Sequence, residues 1–186
     1  MADRDHAAGV LGLVQDFVNS VDLQDGPEEL SDPAALATWL AGRGLINTPD
    51  PLTVADLKHA IALREAMRGV IGANTGGLVF PLDVATLNGA ASASRLRARF
   101  AADGKARLEP EAGGAEGAMG RLVAALYAAM ADPQWSRLKL CSRPACRWVF
   151  YDRSRNHSSR WCTMATCGNR EKAKRFRGRA RPGPNR

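Results

Sequence analysis

Four cysteines near the C-terminus are the residues of this chain best suited to chemistry. They form two pairs with the same internal spacing, Cys141 with Cys146 and Cys162 with Cys167, and fifteen residues separate the pairs. Zinc takes four thiolate sulfurs at about 2.3 Å in a closed tetrahedral site and then needs no other ligand. The spacing therefore predicts one structural Zn²⁺ held by these four cysteines.

Two disulfide bonds would also use four cysteines, in any of three pairings. Disulfides need an oxidising compartment, and the opening MADRDHAAGV lacks the basic stretch and apolar core of a secretory signal. Four unrelated buried thiols would not usually fall into two equal pairs. Zinc is thus the favoured interpretation, with disulfides, redox thiols or free structural cysteines as alternatives, and we expect a cytoplasmic protein.

The charge of the chain is divided unevenly between its two parts. Residues 137–186 contain 15 Lys and Arg against 2 Asp and Glu, a net charge of +13. Residues 1–136 contain 11 against 17, a net charge of −6. Such asymmetry suggests an anionic partner for the C-terminal part, and nucleic acid is the partner that basic segments most often bind.

The basic residues that we predict to contact phosphate lie in the loop between the cysteine pairs or in the helix that follows: Arg153, Arg155, Arg160, Arg170, Lys172, Lys174, Arg175 and Arg177. Arg170 has a second interpretation, in which it holds the loop through backbone carbonyls or pairs with Asp152. DNA is the favoured partner over RNA, although phosphate contacts carry no base information. A second class of function is a protein-interaction module that docks on an acidic protein surface.

An enzymatic function is not expected from this sequence. Only three histidines are present, His6, His59 and His157, and they lie far apart. Four sulfurs would fill the coordination shell of zinc and leave no position for a reacting water or for His157. The chain has neither a Gly-rich phosphate loop nor a nucleophile elbow. No apolar run reaches the 18 or so residues of a membrane span.

Apolar residues recur at helical spacing in five segments of the N-terminal part, at about 6–21, 31–42, 53–73, 81–91 and 115–131. Thr53 is the expected N-cap of the third helix, and Asp32 precedes a proline at the start of the second. The last of these helices should bury one face, made of Met119, Leu122, Val123, Leu126, Tyr127 and Met130. These stripes are more readily explained as core than as a ligand pocket.

Strands are expected at 95–100 and 105–109, joined by the turn residues Asp103 and Gly104. Period-two alternation in the first strand predicts that Leu96, Ala98 and Phe100 face inward. The predicted fold class is α+β: a mostly helical N-terminal domain at 1–136 with one hairpin, followed by a small treble-clef or ribbon-like zinc finger at 137–178. Residues 179–186 form a basic, Gly- and Pro-rich tail that we expect to be disordered.

In the finger, strands at about 138–141 and 148–151 should supply the first two sulfurs, and a helix start near Cys167 should supply the others. Gly168 is expected to let the backbone turn, and Asn169 is the expected N-cap of the last helix. The expected apolar cover consists of Trp148, Phe150, Trp161 and Phe176. Because structural zinc supplies folding free energy to such small units, loss of a ligand should unfold residues beyond about 137 and spare the helical body.

The tetrapeptide Cys167-Gly168-Asn169-Arg170 resembles the signature of the CGNR zinc-finger family. The resemblance extends over about 37 residues, through Trp148, Phe150-Tyr151-Asp152, Ser154-Arg155-Asn156, Arg160-Trp161-Cys162 and Met164. Residues 13–21, LVQDFVNSV, and 36–45, LATWLAGRGL, are similar to two blocks of the helical ABATE domain, with Gln15 and Ser20 as departures. The resemblance implies a bacterial transcription regulator that binds nucleic acid. Its N-terminal domain would then dimerise or bind a small-molecule effector.

Overall fold

Six α-helices and two antiparallel hairpins make up the described part of the computed structural model, which comprises residues 5–24, 26–46 and 51–179. The N-terminal helices are α1 (Gly9–Val18), α2 (Pro33–Ala41), α3 (Val54–Gly72) and α4 (Pro81–Ala93). A hairpin of β1 (Leu96–Phe100) and β2 (Ala106–Pro110) leads to α5 (Gly114–Ala131). The finger contains β3 (Leu138–Leu140), β4 (Val149–Tyr151) and α6 (Asn169–Arg179). The predicted fold class is confirmed.

Two helix starts follow from local side-chain chemistry. The Asp32 carboxylate accepts a hydrogen bond from the Ala35 amide at 2.8 Å, directly before the proline that begins α2. The Thr53 hydroxyl accepts from the Asp56 amide at 3.2 Å, and the Asp56 carboxylate accepts from the Thr53 amide at 2.7 Å. This reciprocal capping box satisfies amides that the first turn of α3 leaves without helical partners.

The main core lies between α1, α2, α3 and α5. Phe17 and Trp39 meet there with ring centroids 5.3 Å apart, and both are buried. On α5 the buried stripe contains Leu122 and Leu126 as expected, but Tyr127 and Met130 are 63% and 49% exposed, so that part of the prediction is wrong. Small residues on the neighbouring face, including Ala118, Ala125 and Ala129, are buried instead and allow close helix packing.

Two buried arginines of α3 were not anticipated from the sequence. Arg64 forms a bidentate ion pair with Glu28, at 2.6 and 2.7 Å. Arg68 is fully buried; its guanidinium donates to a carboxylate oxygen of Glu65 at 2.9 Å and to the Val18 carbonyl at 2.5 Å. A buried charge is tolerated only when it is paired and hydrogen-bonded, and Arg68 meets both conditions.

The β1–β2 hairpin closes with a tight turn at the predicted position. The Gly104 amide donates to the Ala101 carbonyl at 3.0 Å, the Ala101 amide donates to the Lys105 carbonyl at 2.9 Å, and Gly104 has φ +76°. This is a three-residue hairpin loop with a glycine in the left-handed conformation. The prediction that Leu96, Ala98 and Phe100 face inward is wrong, because Ala98 is exposed and Phe100 is 85% exposed. The helices cover only the base of the hairpin, where Gly120 of α5 approaches Pro110 and Ser94.

The β3–β4 hairpin packs directly into the helical core. Leu138 and Val149 are fully buried in the same cluster as α1, α3 and α5. The Asn74 amide group donates to the Leu138 carbonyl at 3.0 Å, and the Tyr151 amide donates to the Asp5 carbonyl at 3.1 Å. The start of the predicted finger is therefore fastened to the body along both outer edges of its strands.

No helix in the part of the chain that the structure describes is both long enough and apolar enough to span a membrane. The predicted disordered tail lies outside the described residues from position 180 onward.

Candidate metal centre and basic surface

The four cysteine sulfurs converge on one point. All four lie within 4.8 Å of one another, and Cys162 is 3.7 Å from both Cys146 and Cys167, measured between Sγ atoms. A tetrahedral site with metal–sulfur bonds of about 2.3 Å requires neighbouring sulfurs about 3.8 Å apart. Disulfide sulfurs would be about 2.05 Å apart, and all four thiols are free. The donor set therefore fits a tetrahedral, thiolate-preferring cation.

The first cysteine pair lies in a loop whose amides point at its sulfurs. The Arg143 and Cys162 amides donate to the Cys141 sulfur, and the Trp148 amide donates to that of Cys146. Arg147, directly before Trp148, has a left-handed φ of +47°. Such amides stabilise negative sulfur, because hydrogen bonds to the charged form of a group favour it.

The second pair is placed by a helical turn that begins earlier than predicted. Thr163 is its N-cap, since its hydroxyl accepts from the Thr166 amide at 3.2 Å, and a π-turn at Met164–Gly168 runs directly into α6. The prediction of Asn169 as N-cap is wrong: its backbone is helical, and its side-chain amide donates to the Ala165 carbonyl at 3.3 Å.

Gly168 approaches two side chains closely, and its φ is not positive. A β-carbon at this position would lie 2.6 Å from the Met164 sulfur and 3.3 Å from Trp161 Cδ1. Met164 is half exposed and flexible, so its sulfur could move aside at low cost. Trp161, which packs against the sulfur cluster, is the neighbour that favours glycine here.

The protonation of the sulfurs depends on their mutual contacts. Contacts with the Cys146 and Cys162 thiols hold the pKa of Cys141 well below its usual range. The same contacts raise the pKa of Cys146 and of Cys162. A divalent cation among these sulfurs would displace the remaining protons, so binding must release protons and weaken in acid.

Asp152 organises the loop between the cysteine pairs. This buried carboxylate accepts from Lys139 Nζ at 2.8 Å and from the Ser154 and Ser159 amides at 2.9 and 3.1 Å. Burial raises the pKa of Asp152, but these hydrogen bonds outweigh it and hold the pKa below its usual value. Lys139 also donates to the His157 carbonyl. Lys139 is thus the cation that pairs with Asp152, whereas pairing with Arg170 was one alternative suggested by the sequence.

The apolar cover of the sulfur cluster is smaller than expected. Phe150 is buried among the four cysteines, with Trp148 and Trp161 packed against them. Phe176 was predicted to join this cover and is 76% exposed, so that prediction is wrong. It lies on the third turn of α6, and Lys174 and Arg177 of that helix are exposed as well.

The predicted phosphate-binding residues divide into two groups. Exposed positions on the loop or on α6 are occupied by Arg155, Arg160, Arg170, Lys172, Lys174 and Arg177. Arg153 is also exposed, but it forms an ion pair with Asp5 at 3.2 Å and donates to the His6 carbonyl at 3.0 Å, so it ties the finger to the N-terminal segment. The side chain of Arg175 lies outside the described part of the structure.

Residues that anchor the finger to the body were missed in the sequence. The Asn19 side chain donates to the Val149 carbonyl at 2.7 Å and accepts from the Val149 amide at 2.9 Å. Gln15 donates to the same carbonyl at 3.1 Å, and Arg68 donates to the Arg147 carbonyl at 3.0 Å. One feature of the sequence could have indicated these anchors. Gln15 and Asn19 are polar residues on the otherwise apolar face of α1, beside Val14 and Val18.

Comparison with known families agrees with this geometry. A family model described as "CGNR zinc finger" matches residues 137–180. The model of the ABATE family, described as "Putative stress-induced transcription regulator", matches residues 11–133. A search of curated proteins returned no match. Both resemblances seen in the sequence are confirmed, and the chain belongs to the ABATE family, with a CGNR zinc finger at its C-terminal end.

Proposed function

We propose that this protein is a zinc-dependent regulator that binds DNA through the exposed basic surface of its finger. The observation that carries the proposal is the set of cations on the loop and α6 that face solvent. Arg155, Lys172, Lys174 and Arg177 are exposed, and among the described residues no carboxylate forms an ion pair with them. Cations that only solubilise a surface are usually interspersed with acidic groups, whereas this finger is almost uniformly positive.

Zinc is the proposed occupant of the sulfur site. Four cysteine sulfurs at near-tetrahedral spacing favour a soft, four-coordinate cation, and zinc is the commonest such ion in structural sites. When bound, it would cross-link the two cysteine loops and contribute no reacting position, because all four ligands come from the protein. For this reason we propose a binding role and not a catalytic one.

The strength of the electrostatic contribution can be measured. If the finger neutralises about four to six phosphates, the slope of log K against log salt on duplex DNA should be about −4 to −5. Replacing Lys172, Lys174 and Arg177 with Ala should weaken binding to all sequences and reduce the magnitude of the slope by about 3. The zinc content should stay the same, since none of the three residues is a ligand.

A matched control removes the same charge from the body. Lys58, Lys105 and Arg99 are exposed residues of α3 and the first hairpin, and their replacement with Ala also deletes two lysines and one arginine. Binding of this variant should equal that of the wild type. If both triple variants lose affinity equally, or neither does, the finger is not the binding surface.

RNA and an acidic protein surface are the competing partners. Running the same salt titration with single-stranded DNA, duplex DNA and RNA of equal length separates the nucleic acids, because each presents a different phosphate spacing. If the protein binds none of these nucleic acids, the DNA-binding proposal is wrong and the protein-interaction module is favoured. A cytoplasmic location and a small-molecule effector stay predictions.

A further inference from the structure

The first hairpin ends in a strand edge that has no partner in the described part of the chain. β1 pairs with β2 in a two-stranded sheet, with Ala98 opposite Leu108. The hydrogen bond from the Ala101 amide to the Lys105 carbonyl sets the phase of the ladder. Because hydrogen-bonded and non-hydrogen-bonded pairs alternate in antiparallel sheets, the amides and carbonyls of Ala106 and Leu108 point away from β1.

The position of Pro110 agrees with this alternation of hydrogen-bonded and non-hydrogen-bonded pairs. It has no amide hydrogen, and it stands opposite Leu96 at a non-hydrogen-bonded position, where its carbonyl also points outward. The outer edge of β2 therefore offers the amides of Ala106 and Leu108 and the carbonyls of Ala106, Leu108 and Pro110. Exposed edges of this kind pair readily with another strand.

The sequence of β2 is complementary to itself. In an antiparallel pair centred on Leu108, the Leu108 residues of two copies face each other, Ala106 faces Pro110, and Arg107 faces Glu109. Such a pair makes four backbone hydrogen bonds, two between the Leu108 residues and two from the Ala106 amides to the Pro110 carbonyls. At each end of the pair one hydrogen bond is lacking, because Pro110 has no N–H to donate to the Ala106 carbonyl of the other copy. Opposite charges directly across a ladder are favourable, whereas like charges are not.

The outer edge of β1 lacks this complementarity. An antiparallel pair of β1 strands centred on Ala98 would set Arg97 of one copy against Arg99 of the other. Glu111 contacts both arginines within its own chain, at 2.8 and 3.6 Å, but two like-charge pairs still face each other. The two edges of the hairpin are thus unequal, and β2 is the one suited to a second copy of the chain.

We propose that two copies of this protein associate through their β2 edges and form a four-stranded antiparallel sheet in the order β1-β2-β2-β1. The sheet would place the half-buried Leu108 side chains against each other and extend the apolar face on which Phe100 is exposed. An isolated two-stranded hairpin is marginally stable, and extension to four strands stabilises both copies. The interface is small, so a concentration-dependent dimer in the micromolar range is expected.

Charge reversal tests this register on the full-length, zinc-loaded protein. Arg107→Glu alone sets Glu against Glu109 of the other copy, and Glu109→Arg alone sets Arg against Arg107. Each should weaken dimerisation at least about tenfold, because two favourable pairs become two unfavourable ones. The double variant R107E/E109R exchanges the charges and should recover the wild-type dimer. Sedimentation velocity between about 1 and 100 µM measures all four proteins.

The two single variants have opposite effects within one chain, which separates pairing from misfolding. Arg107 faces Arg99 and Glu109 faces Arg97 in the hairpin, so across the ladder R107E relieves a like-charge contact and E109R creates one. R107E also removes the exposed Arg107–Asp103 ion pair at 3.3 Å, an effect confined to the turn that the double variant shares. Loss of the dimer in both, with helical circular dichroism unchanged, supports the proposal. A wild type that stays monomeric at about 100 µM, single variants that dimerise normally, or a double variant that does not recover would each overturn it.

Discussion

Replacement of Asn19 with Ala should destabilise the whole protein, although this residue lies more than a hundred positions from the cysteines. Its side chain makes two hydrogen bonds to Val149, at 2.7 and 2.9 Å, and is buried between α1 and β4. Each bond contributes about 0.5–1.5 kcal/mol, and a buried amide left without a partner costs about 1–3 kcal/mol. The Val149 carbonyl retains Gln15 as a donor, whereas the Val149 amide loses the acceptor that Asn19 supplies.

The expected loss in free energy of unfolding is therefore about 2–4 kcal/mol, a large share of the roughly 5–15 kcal/mol available to a domain. The melting temperature should fall by about 5–15 °C for a chain of this size. Thermal and urea unfolding followed by far-UV circular dichroism measure the loss of helix. A chelating dye follows zinc release in the same samples, and both signals should move together.

Asn88→Ala is the matched control, because Asn88 is exposed on α4 and the chemical change is the same. It should alter stability by less than about 0.5 kcal/mol. The reasoning is refuted if Asn19→Ala is as stable as this control. It is also refuted if zinc release in the Asn19 variant moves while the helical transition does not, since the finger would then unfold on its own.

Three further outcomes follow from the site. Elemental analysis should find one zinc per chain, and Cys162→Ser should lower both the zinc content and the cooperativity of helix unfolding, contrary to the independent unfolding expected from the sequence. Asp152→Asn should lower the free energy of unfolding by about 3–5 kcal/mol at pH 7, because it leaves the buried Lys139 charge unpaired. The pKa of Asp152 is lowered in the folded state, so the stabilisation by its carboxylate is present above the unfolded pKa of about 4 and is lost as the pH falls through the folded pKa. Urea titrations of the wild type at several pH values would show this loss. Arg147→Gly should stabilise the fold by about 0.5–1 kcal/mol by relieving a left-handed φ of +47°, whereas Arg147→Val should destabilise it, and thermal melts distinguish the two.

Local chemistry explains which features could be predicted. Three predictions depend on residues within a few positions of one another: the spacing within each cysteine pair, the Thr53 cap and the Asp103-Gly104 turn. Both partners of each interaction are therefore visible in one short stretch of sequence. Asn19 and Arg68 depend on partners 130 and 79 positions away. A polar residue on an apolar helix face signals that some buried partner exists, but its identity follows only from the packing of the hairpin.

Phe100 and Phe176 show a different limit. Alternation in β1 assigns Phe100 to one face of the strand, and the small size of the finger favoured Phe176 as apolar cover. Neither observation shows whether another element covers the side chain. Both aromatic residues are exposed.

The connection between the metal centre and the helices lies in two adjacent residues of β4. Val149 is buried in the helical core and Phe150 is buried among the cysteines, because successive side chains of a strand point to opposite faces. The β3–β4 hairpin thus packs against both cores, and hydrogen bonds from Asn19, Asn74 and Arg68 of the helical body fix its position. Loss of zinc would remove the packing of the sulfur cluster on one face of this hairpin and destabilise its packing against the helical core on the other face. The orientation of the basic surface relative to the helices is fixed by the same contacts.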